Sequence, residues 1–391
     1  MMLGDRLVLH PGIAAEFRYD SNIFFQATNP VGAFLFRLMP SLDLATRPPQ
    51  RGGNAPHGID FRLHAGIDYN EYLTSDANVS GHRSVGVQAG MLLTVLPQHP
   101  FSFDVFDNYV RSVQPPYSLV PYNIDRDTNE AGLRLRYRPG GGRLQLDLAY
   151  TFGLDFFEIP QFQDLNVLYH RVDFRAMWKF FPKTAIYVEV SDQPYLYLHN
   201  GPGTIDHPDS YPLRAIAGLT GLITAKLTLN AWIGYGNGFY QAVAMTPTVN
   251  PNTPIGGIDL KWKPSVLSEG VIGYHHDFVN SLLGAYYDTD AAYIGWTQLI
   301  WRFTGAVNLQ YSNNRYQGIQ AATGLMPLSR TDNLVVFNAR VDYPFKDWLI
   351  SSLGYVLQNN STDAMLSMGL AGLVPLNYTT HEVYLRLSVL Y

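Results

Sequence analysis

His381-Glu382-Val383-Tyr384-Leu385-Arg386-Leu387-Ser388-Val389-Leu390-Tyr391 decides the fold. Side chains alternate across a strand, so Val383, Leu385, Leu387, Val389 and Tyr391 share one face while Glu382, Tyr384, Arg386 and Ser388 share the other. The segment is therefore expected to be a strand with one apolar and one wet face. Stopping on an aromatic with no polar tail, it suits a strand that closes a sheet onto its own first strand. Closure removes the exposed edges that invite wrong pairing.

The same two-residue period recurs along the chain. Ile13, Ala15, Phe17 and Tyr19 oppose Ala14, Glu16 and Arg18, and the stretch ends in the turn cluster Asp20-Ser21-Asn22. Phe34, Phe36, Leu38, Leu42 and Leu44 alternate with Leu35, Arg37, Met39, Ser41 and Asp43. From Ile59 to Asn70 the alternation has no error, with Asp60, Arg62, His64, Gly66 and Asp68 on the polar side. Further segments run Val85 to Val95, Phe101 to Val110, Ala131 to Tyr137, Leu144 to Phe156, Val172 to Phe180, Ile186 to Val190, and Leu213 to Ile223. They continue through Leu227 to Tyr235, Ile258 to Trp262, Val266 to Tyr274, Ala291 to Trp301, Val307 to Tyr311, Val335 to Tyr343, and Leu349 to Leu357. With the C-terminal strand the expected count is about eighteen.

The connections carry an independent signal. Alternate ones are short: Pro97 to Pro100, Pro139 to Gly142, Phe181 to Lys183, Thr224 to Lys226, Pro264-Ser265, Phe303 to Gly305 and Pro344 to Asp347. The intervening ones are long, as in Ser112 to Glu130, Asp192 to Ser210, Gly238 to Pro254, Tyr316 to Asp332 and Asn359 to Thr380. Arg47 to Gly58 is the one long connection on the short side. Tight turns at one end and long loops at the other predict an all-β, transmembrane, antiparallel up-and-down β-barrel, a single domain over residues 1–391. An even strand count with the tight turns in the periplasm puts both termini there. A soluble sandwich also alternates, but its strands run to about five or six residues. A propeller would repeat a motif every ~40–50 residues, and the chain repeats spacing without repeating motifs.

Composition agrees. Charged residues make up 15% of the 391, while aromatics reach 14% with 26 Tyr and 21 Phe. No apolar run approaches the ~18 residues of a transmembrane helix, a test that a barrel passes unnoticed because its lipid-facing residues are diluted by interior ones. With no cysteine, disulfides, thiolate metal sites and Cys nucleophiles are excluded. A net charge of -5 gives no basic footprint for nucleic acid. The Met1-Met2-Leu3-Gly4-Asp5-Arg6 start lacks the charged and then apolar segments of a secretory signal, so an exported protein is expected to be numbered from near its mature end.

If the apolar face meets lipid, the other lines the interior. The expected channel lining is Arg37, Arg62, His64, Asp68, Arg134, Arg136 and Asp147, then Arg171, Asp173, Arg175, Glu189 and Arg214, then Asp259, Lys261, Arg340, Asp342 and Arg386. Charges this numerous require water or partners, and barrels of about sixteen to eighteen strands are wide enough for a wet lumen. Mixed signs, as in Arg171/Asp173/Arg175, fit lateral bracing between strands or a lining for a polar solute. Tyr69, Tyr109, Tyr137, Tyr150, Trp178, Tyr235, Trp262, Trp301, Tyr343, Trp348 and Tyr391 fall near strand ends and are expected to form interfacial girdles. Tyr117, Tyr122, Tyr195, Tyr197, Phe239, Tyr240, Tyr286 and Tyr287 fall in loops, where packing or saccharide stacking suits them.

Other chemistry has weak signals. His275-His276-Asp277 would need a spaced nucleophile to be catalytic, so no enzyme, cofactor or metal is expected. Asp206-His207-Pro208-Asp209 and Asp125-Arg126-Asp127 suit solvated turns better than cation sites. The segment from Asn359 to Thr380, with Met365, Leu366, Met368, Leu370, Leu373 and Val374, is apolar for a loop and is expected to fold inward as a plug or to meet a neighbour.

The terminal strand resembles the C-terminal strand of bacterial outer-membrane barrels, whose last aromatic is part of the signal read on insertion. Phe17-Arg18-Tyr19-Asp20-Ser21-Asn22-Ile23-Phe24 is similar to a segment near the start of outer-membrane β-barrel porins found with exopolysaccharide operons. That resemblance implies export of a secreted polysaccharide across the outer membrane, with a periplasmic export partner. The alternatives are a general or solute-specific diffusion porin and a structural or adhesive anchor that displays loops.

Overall fold

The computed structural model describes residues 2–3, 6–46, 58–113, 125–198, 207–242, 249–282, 284–319, 325–326, 330–367 and 373–391. Eighteen long strands form one antiparallel sheet. They are β1 Leu7–Asp20, β2 Ala33–Thr46, β3 Ile59–Leu73, β4 Ser84–Val95, β5 Phe101–Ser112, β6 Arg126–Tyr137, β7 Leu144–Phe157, β8 Val167–Phe181 and β9 Thr184–Asp192. The second half comprises β10 Leu213–Thr224, β11 Leu227–Asn237, β12 Asn252–Ser265, β13 Ser268–Asn280, β14 Tyr286–Ile300, β15 Phe303–Gln317, β16 Arg330–Lys346, β17 Leu349–Thr362 and β18 Tyr378–Leu390. Each pairs with the next, and β1 pairs with β18 from Gly12↔Leu390 to Asp20↔Glu382, so the sheet is a closed barrel.

The period of two is reproduced in space. Ile13, Phe17, Leu133, Leu148, Val188, Ile233, Ile272, Val307, Leu353 and Leu385 stand exposed on the outside, while their neighbours in sequence turn inward. An apolar belt of this extent is the form of a barrel whose outer face meets hydrocarbon. Inside, aromatic rings lie flat on the wall: Tyr169 covers Gly153 and Tyr384 covers Gly354, where a Cβ would overlap the ring.

The tight turns differ from the sequence expectation. β12 runs on through Pro264-Ser265, β15 begins at Phe303, and β16 runs on through Pro344 to Lys346. The tips are Val266-Leu267, Trp301-Arg302 and Asp347-Trp348, so the strand expected from Val266 begins at Ser268. Proline is tolerated because the register shifts at both sites, between Trp262 and Ser265 and between Pro344 and Lys346. Trp301 takes the left-handed tip conformation at φ 56° that glycine or asparagine usually fills. At the other end β6 begins at Arg126, inside the expected loop Ser112 to Glu130, because Arg126–Glu130 still pairs with β5. Residues 47–57, Tyr117 and Tyr122 lie outside the described residues.

The segment that carries the resemblance is a seam latch. Asn22 is buried, donates to the carbonyls of Gln26 (2.8 Å) and Thr379 (3.0 Å), and accepts from the Gln26 amide (2.9 Å). Asp20 accepts from the Asn22 amide (2.8 Å) and the Thr380 hydroxyl (2.7 Å). Ser21 exchanges bonds with His381 through its amide (3.0 Å) and hydroxyl (2.8 Å). The latch therefore ties the end of β1 to the start of β18.

Candidate functional site: a charged pocket on the inner wall

Alternation and register together build the pocket. Arg136 faces Asp147 across β6 and β7, Asp147 faces Arg175 across β7 and β8, and Arg175 faces Glu189 across β8 and β9. Four directly opposed inward positions thus alternate in sign, the arrangement in which cross-strand charges attract. Around this row lies a cavity of about 720 Å³, lined also by Arg134, Arg171, Asp173, Arg214, Asp277, Trp232 and Ile255.

Most of the charges are paired. Arg136 donates to Asp147 (3.1 Å) and Asp104 (3.3 Å), Arg171 to Asp173 (3.0 Å), and Arg214 to Asp277 (3.1 Å). Arg175 lies 3.5 Å from Glu189 with its guanidinium over the Tyr187 ring at 4.2 Å. Arg134 is exposed in the pocket and, among the described residues, has no ion pair. The pocket therefore holds braced guanidinium groups plus one uncompensated cation.

Gln193 and Arg214 also line a cavity of about 320 Å³ nearer the loop end, with Arg126, Tyr195, Tyr287 and Tyr316. Above it Tyr287 and Tyr316 pack with Ile319, Ala364 and Leu376, so part of the apolar segment expected between Asn359 and Thr380 covers the wall here. Met368 and Leu370 lie outside the described residues.

Of the expected lining, Arg134, Arg136, Asp147, Arg171, Asp173, Arg175, Glu189 and Arg214 come together in this pocket. The others are dispersed. Arg37, Asp68 and Arg386 belong to a cluster around Glu16 at the seam. His64 meets Asp43 (2.7 Å), Arg340 meets Asp342 (3.0 Å), and Lys261 meets Glu269, while Asp259 accepts from Asn230 (3.3 Å) and Tyr293. Arg62 lies 3.9 Å from Asp60 and is largely exposed.

Asp277 and Trp232 line the pocket but were not expected to. In sequence Asp277 stands beside His275 and His276, and alternation places His276 on the face opposite Asp277. His276 bonds Asp290 (2.9 Å) and Asp277 bonds Arg214 inside the barrel, so these two do not converge on one centre. In Asp125-Arg126-Asp127 the two carboxylates meet Arg111 and Tyr109 on the outside while Arg126 turns to Asp155. Asp206 lies outside the described residues; Asp209 accepts the Tyr197 amide (2.8 Å) and His207 stacks on Tyr197. No group able to hold a metal ion is found among the described residues.

No family model and no curated protein matches the chain. Among solved structures, OccAB3 of Acinetobacter baumannii matches with a TM-score of 0.51 at 9% identity, over 100% of each chain. OccAB4 of the same organism matches at 0.50 and 11%, over 99% of each chain. At these identities the likeness is one of fold: the chain shares the closed, eighteen-stranded antiparallel barrel of these proteins.

Proposed function

We propose that the chain is an outer-membrane channel through which small polar solutes diffuse, with anions favoured. The observation that carries this reading is the wall pocket of about 720 Å³ whose alternating charge row leaves Arg134 unpaired. Guanidinium groups held by neighbouring carboxylates keep a fixed fork of donors, which suits the planar oxygens of a carboxylate or the oxygens of a phosphate. The apolar outer belt supports a membrane setting, and a barrel of this strand number supports a wet interior. In this reading the turn end with both termini faces the periplasm.

Polysaccharide export, implied by the early-strand resemblance, asks for a path along which a polymer can slide. The pocket instead has the volume of sites that hold one small molecule, about 300–1,000 Å³. The diffusion channel is therefore preferred. The decisive experiment is single-channel recording of the refolded protein in a planar bilayer under a salt gradient. An anion-selective reversal potential that moves toward neutrality in Arg134→Ala is the expected result. A silent barrel, or one blind to ion charge, would overturn the reading, and block by polysaccharide fragments without passage of small anions would revive export.

A further inference from the structure

The outer face carries a second charge-and-amide row that the pocket does not use. His276 faces Asp290, Asp290 faces Asn313, and Asn313 faces Asn333 across β13 to β16, all at the loop end. Arg315 joins Asp290 at 2.7 Å and Asn313 donates to Asn333 at 3.0 Å. This row tops a ring of outward tyrosines just above the apolar belt. Tyr69 donates to Glu71, Tyr109 to Asp127 (2.7 Å), Tyr274 to Asp290 (2.6 Å) and Tyr311 to Asn333 (2.7 Å). The hydroxyls of Tyr150 and Tyr355 lie 2.7 and 2.8 Å from Nδ1 of His170 and His381. The six stand on β3, β5, β7, β13, β15 and β17, which all run toward the loops, and they mark the upper edge of the apolar belt on those strands.

The turn end is built differently. Trp178, Trp262, Trp301 and Trp348 stand exposed there and, among the described residues, make no side-chain hydrogen bonds. The loop rim is capped by side-chain hydrogen bonds to its tyrosines, whereas at the turn rim the tryptophans are bare and Arg302 lies over the Tyr343 ring at 5.5 Å.

From this asymmetry we propose that the outward row His276, Asp290, Asn313 and Asn333, with Arg315, is a docking surface for the sugar headgroup of a glycolipid in the leaflet at the loop end. Its position just above the belt puts it at headgroup level. Its chemistry selects sugar over phosphate: amides, imidazole and phenols both donate and accept, as hydroxyl groups do. The caps around the ring carry more carboxylate (Glu71, Asp125, Asp127, Glu158, Asp290) than cation (Arg83, Arg111, Arg315), which disfavours a bare phosphate. The inference rests on the barrel spanning a membrane and not on what crosses it.

The test is lipid retention. Full-length protein in mixed nanodiscs of phosphatidylglycerol and digalactosyldiacylglycerol is stripped with mild detergent, and the lipid left bound is counted by native mass spectrometry. The wild type is expected to retain the galactolipid in preference, and Asn313→Leu/Asn333→Leu to lose about fivefold of that preference, the effect of one or two hydrogen bonds. Unchanged conductance and electrophoretic heat-modifiability would show the variant folded. His276→Leu alone serves if the double variant does not fold. Equal retention of both lipids, or retention abolished by EDTA and so bridged by a cation, would overturn the proposal. Loss of channel activity in the wild type would leave the lipid result standing, so the two readings fail separately.

Discussion

Glu16 and Glu189 both point into the barrel and both meet arginine across a strand pair. Glu16 has a fully buried side chain and accepts from Arg18 (2.8 Å), Arg37 (3.3 Å) and Arg386 (2.5 Å), which lie on β1, β2 and β18. Glu189 is about a third exposed and, among the described residues, pairs only with Arg175, at 3.5 Å. The seam cluster extends through Arg18 to Glu382 and through Arg37 to Asp68, so every charge is answered and the first and last strands are clamped. The pocket leaves Arg134 unanswered. The same side chains thus act as a clasp where water is excluded and as a receptive surface where it is admitted.

The largest expected effect lies at the clasp. Glu16→Ala removes the buried carboxylate that joins three arginines, leaving Arg386 without its ion pair and Arg18 and Arg37 with one carboxylate each, and breaking such a buried pair costs about 3–5 kcal/mol. The folded, heat-modifiable band on electrophoresis should fall or vanish, and a urea midpoint equal to the wild type would show that Glu16 is not what holds the seam. Next comes Asn22→Ala, which removes the bonds to Gln26 and Thr379 and leaves the two carbonyls unanswered. The cost is about 1–3 kcal/mol, read as a lowered urea midpoint with conductance per open channel unchanged. Altered conductance would mean that the latch also shapes the pore.

In the pocket the sign of the comparison reverses. Arg134→Ala removes a charge with no partner among the described residues, so stability should hold within about 0.5 kcal/mol, as for exposed substitutions generally. Anion selectivity should fall instead, read as the reversal potential across a salt gradient. A clear loss of stability would show that Arg134 braces the wall as Arg136 does.

Much of this was legible in the sequence because a barrel writes its fold as a period of two. The terminal strand, the error-free stretch from Ile59 to Asn70 and the alternation of short and long connections specify closure, face and strand number. Strand ends were less legible: Val266-Leu267 and Trp301-Arg302 are apolar turn tips, and the prolines that marked the expected turns sit at register shifts inside strands. The site was legible as a set of inward residues but not as a pocket. Whether Arg134 or Arg136 finds a carboxylate depends on the relative slide of β6, β7 and β8, which composition does not encode. The pair Arg214 and Asp277 joins strands 63 residues apart in sequence and has no local signature at all.

The smallest expected effect is also the most discriminating, because it repeats at Glu189 the kind of change that should be ruinous at Glu16. Glu189→Gln keeps the shape of the side chain and removes one exposed charge from a contact of 3.5 Å. Exposed pairs contribute about 0–1 kcal/mol, and Arg175 keeps its packing over the Tyr187 ring at 4.2 Å. Stability should scarcely move, while the pocket gains a second arginine that is less compensated. Anion selectivity should rise modestly above the wild type, and adding Arg134→Ala should return it toward the wild-type value. If Glu189→Gln instead loosens the barrel as Glu16→Ala should, the two clusters are one continuous brace and the distinction between clasp and pocket fails.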